Sequence, residues 1–466
     1  MFRRQPSRWP LLLAVVGVTL GLGLAAFPAL PHITAVSPAD NAQEISPHAP
    51  VQITFSRAMD HASVETAFSI APAGPGAFTW EGNTLTFSPL RPWAENAAVT
   101  VALAGGRTPR GFPLLVPRQW TFSVGGRRIA YLAGAVPQLW ILPVADGAQP
   151  RPVTDEPHGV YDFDLSSDGA RAVYAALRAE GGADLRLINL DGSGAADLLT
   201  CPQAACLSPV FSPDGQWVAY ERRGLATGRA GEITFGDARL HLLSLANRSD
   251  RPLGPDDSQT RTPRWGPDGR LSYLDETRQA LVVRDPASGS ETFIPDTSGE
   301  SGTWSPDGQF IVFPEIFFPP EPSAVPGATA PAGHSDQFFS HLLRVTIATN
   351  ESRDLSGPGI VEDGSPAYSP TGAWLAFGRK GLAAGDWTPG RQLWLMRADG
   401  TQAHALSSEP LYNHSAFQWS VDEAQIVYMR FNAAEPGTPA EIWIVNADGS
   451  GPRKLAAGGY LPQWTP

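Results

Sequence analysis

Few side chains in this sequence stand at spacings that do chemistry, and each such set also has a plainer reading. Asp164-x-Ser166-x-Asp168-Gly169 opens like a calcium-binding loop. The twelfth position of that register is Ala175, where a bidentate Glu is required, so Asp168 reads as a turn residue. Cys201 and Cys206, in CPQAAC, are the only 2 cysteines. They are too few for a disulfide scaffold or a Cys-built zinc site, and their spacing is wrong for a Cys-x-x-Cys redox motif. His334 and His341 share one segment without a ligand pattern, and no Gly-x-Ser-x-Gly elbow of a serine hydrolase occurs. A two-carboxylate glycosidase site would need acids brought together by the fold, and spacing leaves that alternative open. No catalytic residue, cofactor or metal site is assigned. What remains is recognition chemistry: the cluster Ile316-Phe317-Phe318 and the lone Trp387, aromatic and apolar anchors in irregular segments.

The elements that would position these anchors follow from composition. Of 466 residues, 47 are Gly and 45 Pro, and only 17% are charged. Gly and Pro are poor in helix interiors and useful in tight turns, so an all-β chain of many short strands is expected. With 34 basic against 46 acidic residues the net charge is −12, which argues against a nucleic-acid binder.

The amino terminus sets the expected compartment. Residues 1–10 carry Arg3, Arg4 and Arg8 and no acid, and Leu11–Leu30 holds no charge. A membrane-crossing helix needs about 20 apolar residues, whereas secretory h-regions run about 7–15. Residues 11–30 therefore read as a signal anchor helix with residues 1–10 in the cytoplasm. A removed signal peptide, cut near Gly23-Leu24-Ala25, is the alternative. Both place the rest of the chain in an extracytoplasmic, oxidising space, either at the cell membrane or secreted. There Cys201 and Cys206 are expected to form a local disulfide, two free thiols being the other reading.

Residues 31–125 alternate in short segments such as Val51–Phe55, Thr84–Phe87, Val99–Leu103 and Trp120–Val124, separated by turns. Period-two alternation at this density suggests a β-sandwich. The strings SPADNAQEISPHAPVQITFSRAMDHASV, FTWEGNTLTFSPLRPWAENAAVTVAL and WTFSV resemble the bacterial Ig-like domain of surface proteins. The resemblance implies a spacer or adhesion module without catalysis.

Residues 126–466 carry an internal repeat. An aromatic residue precedes a turn in Phe211-Ser-Pro-Asp-Gly215, Trp265-Gly-Pro-Asp-Gly269, Trp304-Ser-Pro-Asp-Gly308 and Tyr368-Ser-Pro-Thr-Gly372, with degenerate copies at 165–169 and 419–423. Second strands (WVAYER, FIVFPE, QIVYMR), third strands (LWLMRADG, IWIVNADG) and short fourth strands follow. Four strands per copy are the mark of propeller blades. Counting RIAYLA gives seven second strands, while LPQWTP looks like a first strand cut off before its turn. A seven-bladed β-propeller closed by the carboxy-terminal strand is expected, with six or eight blades if a degenerate copy is misread. The motifs resemble the WD40-like repeats of TolB-type propellers, which implies protein–protein interaction and names no partner.

Consecutive antiparallel strands alternate direction, so the regular SPDG and ADG turns share one face. The irregular connections Arg222–Arg239, Pro314–His341, Gly378–Arg391 and Asn432–Glu441 lie on the other. Long loops on a rigid ring are common binding loops, although their aromatics could equally pack back on the ring. The expectation is a non-enzymatic protein without cofactors, held at the membrane through residues 11–30. Its loop face would bind an envelope or cell-surface protein. A polysaccharide bound in the central channel and a purely structural surface protein are the alternatives.

Overall fold

The computed structural model describes residues 30–228, 233–255, 257–318, 338–383 and 385–465. The expected anchor at residues 11–30 therefore lies, but for Leu30, outside the described residues. Among these, no helix is long and apolar enough to cross a membrane. The chain divides into two compact units, one ending at Gly126 and the other beginning at Arg127.

The first unit is a β-sandwich. One sheet runs in the order Ile33–Ser37, Val51–Phe55, Thr84–Pro89, Gly76–Glu81, and the other joins Phe68–Ala71, Ala98–Leu103 and Arg118–Ser123. Alternate residues turn inward: Val51, Ile53, Phe55, Val99, Val101 and Leu103 are buried and form one core with Trp120 and Phe122. Among the described residues one element departs from the all-strand reading, a helical piece at His61–Ala67. Asp60 explains it as an N-cap, its carboxylate accepting the Ser63 N–H at 2.9 Å.

The second unit is the expected ring of seven four-stranded blades. From the channel outward, blade 3 is Ala204–Phe211, Trp217–Thr227, Ile233–Ser244 and Asp250–Pro252, and the other blades repeat this plan. Blade 1 completes itself from the far end of the chain. Gly459–Trp464 pairs antiparallel with Arg128–Ala133, placing Trp464 opposite Ile129 and leaving that strand no open inner edge. Neighbouring blades also touch as sheets, through parallel pairs Ala183–Ala205 and Ser340–Glu362.

The repeated motifs are the joints of this ring. Where the turn holds both Ser and Asp, the Ser hydroxyl donates to the Asp carboxylate, as in Ser212–Asp214 at 2.5 Å, Ser166–Asp168 at 2.6 Å and Ser305–Asp307 at 2.6 Å. Asp214 also accepts the Gln216 N–H at 3.0 Å, and Gly215 supplies the positive φ of 65° that the turn requires. These aspartates are turn formers. Three tyrosines of the second strands are buried and bonded: Tyr174 donates to Glu156 at 2.7 Å, Tyr220 to Asp250 at 3.0 Å and Tyr273 to Glu291 at 3.1 Å. Apolar contact and a satisfied hydroxyl together account for the recurring tyrosine.

Candidate functional site

The rim carrying the second-to-third connections differs from its expected form. Strands continue where loops were expected: Phe310–Phe317 and Phe339–Thr346 form an eight-pair antiparallel arm, and Trp217–Thr227 and Ile233–Ser244 a ten-pair one with a register shift. Ile316 and Phe317 are thus strand residues, opposite Ser340 and Phe339, and only Phe318 lies beyond the strand, 73% exposed. The reason is local: FIVFPEIF and FSHLLRVT are β-rich on both sides, and Phe317 stacks on Phe339 with ring centroids 5.5 Å apart. His341 is buried in the same arm, bonded to the Asp354 carboxylate at 2.7 Å and to the Gly359 carbonyl at 2.8 Å. His334 falls outside the described residues.

The ring brings Phe317, Phe318 and Trp387 to one rim. The arm's third strand pairs in parallel with the inner strand of blade 6 at Ser340–Glu362. That strand pairs with the next at Val361–Gly381, and Gly381 bridges to Trp387. Four neighbouring strands, about 4.8 Å apart, therefore end side by side on this rim. Phe318, Phe338 and Ile360 adjoin three of these ends, and Trp387, in the loop that follows the fourth, bridges to Gly381; they are exposed by 73, 45, 56 and 57%. Lys380 reaches over the Trp387 ring, 5.3 Å from its centroid, and bonds to Glu362 at 3.6 Å. No element covers these side chains among the described residues. Cys201 and Cys206 are bonded to each other and buried at the start of blade 3 (S–S 1.92 Å, Cα–Cα 6.2 Å).

The axial channel is the second place where functional groups converge. Six of the seven inner strands bulge two or three residues before they close, shown by register shifts such as Leu207/Val210, Arg261/Arg264 and Tyr460/Gln463. Ser208, Thr262, Ser365, Ala416 and Leu461 sit there with φ of 50–54°. A non-glycine residue in that region costs roughly 1–2 kcal/mol, so neighbouring contacts must hold it. Carboxylates from the preceding blade do so: Asp162 accepts the Ser208 N–H at 2.7 Å and Glu221 the Thr262 N–H at 2.8 Å. A signal for the bulge stands in the sequence, because proline follows at 209, 263, 366 and 462. Proline lacks the N–H that a continuous ladder would use.

Beyond the bulges lies a cavity of about 930 Å³, lined by inner-strand residues and by the turn prolines of four blades. One residue before each closing residue lines this cavity in five blades: Arg264, Thr303, Ala367, Gln418 and Gln463 in blades 4 to 7 and 1. Burial pushes the Asp162 carboxyl up to about 7, with the Glu221 and Asp164 charges adding to it and the Ser208 N–H opposing. Burial likewise raises Asp164 to about 6, against the Phe211 N–H and the Arg264 charge. Asp162 is partly exposed as a residue, but its Oδ1 is buried without a partner. Among the described residues no group of three or more His, Cys, Asp or Glu is arranged to hold a metal ion.

Residues 29–124 match the family model of the bacterial Ig-like domain. An uncharacterized peptidase of Bacillus subtilis is 21% identical over 192 residues, which are 36% of this chain and 28% of that protein's length. TolB of Acinetobacter baumannii is similar in structure at a TM-score of 0.43 and 13% identity, covering 94% of this chain and 99% of that one. An oligogalacturonate lyase of Vibrio parahaemolyticus gives 0.40 and 16%, covering 64% and 73%. At such scores the ring's own strand pairing, not these likenesses, defines its architecture.

Proposed function

We propose that this chain is an extracytoplasmic recognition protein whose propeller binds an envelope or cell-surface protein through the rim of blades 5 and 6. The observation that carries this reading is the exposure of Phe318, Phe338 and Ile360 beside three neighbouring strand ends and of Trp387 in the loop bridged to the fourth. Exposed aromatic anchors on a rigid frame give large contact area at little conformational cost. The uncharged run at 11–30, read as a signal anchor, would hold the protein at the membrane, and the Ig-like domain would act as a spacer. The disulfide at Cys201–Cys206 is consistent with an oxidising compartment.

The test is in-cell crosslinking of the full-length chain followed by mass spectrometry. One dominant envelope protein, linked through the rim of blades 5 and 6 and lost in F318S/W387S, is the expected result. Equal capture by that variant overturns the assignment.

A further inference from the structure

Arg264 lies in the channel wall, and its guanidinium has no hydrogen-bond or ion-pair partner among the described residues. The other cation of the lining, Arg261, is already held by Glu276 and by the Gly299 carbonyl. Glu300 accepts the Ser365 N–H. The nearby amides are half used: Gln418 Oε1 accepts the Trp464 N–H at 3.3 Å, and Gln463 Nε2 donates to the Phe163 carbonyl at 3.3 Å. The Gln418 NH2, the Gln463 carbonyl oxygen and the Thr303 hydroxyl have no side-chain bond among the described residues. Donors and acceptors thus face one axial space with a single open fork of N–H donors among them.

We infer that the channel is a binding site for the carboxylate of a narrow, otherwise neutral polar chain, with Arg264 as its anchor. A planar guanidinium fork matches a carboxylate with two parallel N–H donors. Asp164, on the inner strand of blade 2, lies behind the lining and close enough for the Arg264 charge to act on it. A carboxylate this close to the fork selects against dianions such as phosphate. The volume, about 930 Å³, is at the upper end for small-molecule sites and takes several units of a chain. The turn prolines Pro213, Pro267, Pro306 and Pro370 line the cavity, so entry is from the short-turn face, opposite the aromatic rim. This site is independent of the partner surface proposed above.

A peptide carboxy terminus and a sugar acid share this chemistry. Titration calorimetry on the full chain with triglycine, triglycinamide, glucuronate, glucose and inorganic phosphate separates them. Binding of triglycine or glucuronate, each at least about tenfold tighter than its uncharged counterpart, is expected, and the acid that binds identifies the source. R264Q should remove that preference with unchanged thermal melting, and R264K should restore it only in part, because the charge returns without the fork. Three results overturn the site: no binding by either acid, equal binding of acid and uncharged form, or phosphate binding as tightly as the acids. Preference unaltered in R264Q overturns the role of Arg264. Loss of the rim's protein partner would leave all of these outcomes unchanged.

Discussion

Trp464 donates its indole N–H to the backbone carbonyl of Gln418 at 3.1 Å, tying the last strand of the chain to the inner strand of blade 7. The same joint recurs around the ring. Trp265 donates to the Val210 carbonyl at 3.2 Å and Trp419 to the Ala367 carbonyl at 3.1 Å. Trp304 reaches the equivalent Arg264 carbonyl through Ser272, at 2.8 and 3.3 Å. At these four positions the tryptophan is therefore also an inter-blade bond, which explains why tryptophan recurs there.

Closure gives the first prediction. Trp464 is 8% exposed and packs against Ile129 and Val427, so W464A removes a buried ring and its hydrogen bond. A loss of about 3–5 kcal/mol is expected in urea unfolding. Aggregation should rise in parallel, because Arg128–Ala133 would gain an open edge.

The rim gives the second. Phe318 and Trp387 are exposed and outside the core, so F318S/W387S should change unfolding free energy by no more than about 0.5 kcal/mol. Partner capture should be lost at the same time, with chemical denaturation and crosslinking as the paired measurements.

A third concerns pH. Burial holds the Asp162 carboxyl near 7, above its value in an unfolded chain of about 4. Between those values the folded state binds more protons than the unfolded one, so stability is fully present below about pH 4 and is lost as pH rises through about 7. D162N keeps an acceptor for the Ser208 N–H and removes the titration. Its melting temperature should fall less than that of the parent over this interval, which differential scanning calorimetry would read.

Blade 2 offers a fourth. Glu156 accepts from Tyr174 and Arg186, each at 2.7 Å, inside a buried joint. E156A strands the Tyr174 hydroxyl and leaves Arg186 with Asp197 alone, at 2.9 Å, and should cost roughly 2 kcal/mol in urea denaturation. E156A combined with Y174F should lose less than the sum of the two single changes.

The sequence by itself determined much of this protein. Alternation at 51–55, 84–87, 99–103 and 120–124 specified the sandwich. The repeated aromatic-turn-strand units gave seven blades and identified LPQWTP as the strand that closes the first. Such features are local, since the period of apolar residues and the turn chemistry act within a few residues of the chain. The prolines at 209, 263, 366 and 462 stand in plain view two residues before an aromatic, yet their role at the bulges depends on a ladder that only pairing reveals. Tertiary structure alone decided that Phe318 and Trp387 share a rim, although 69 positions separate them, because the parallel contact at Ser340–Glu362 joins two blades. It also decided that Asp162 is desolvated and that Arg264 faces an open axis. Burial and unpaired charge are set by whichever neighbours close around a group, and in a ring those neighbours come from other blades.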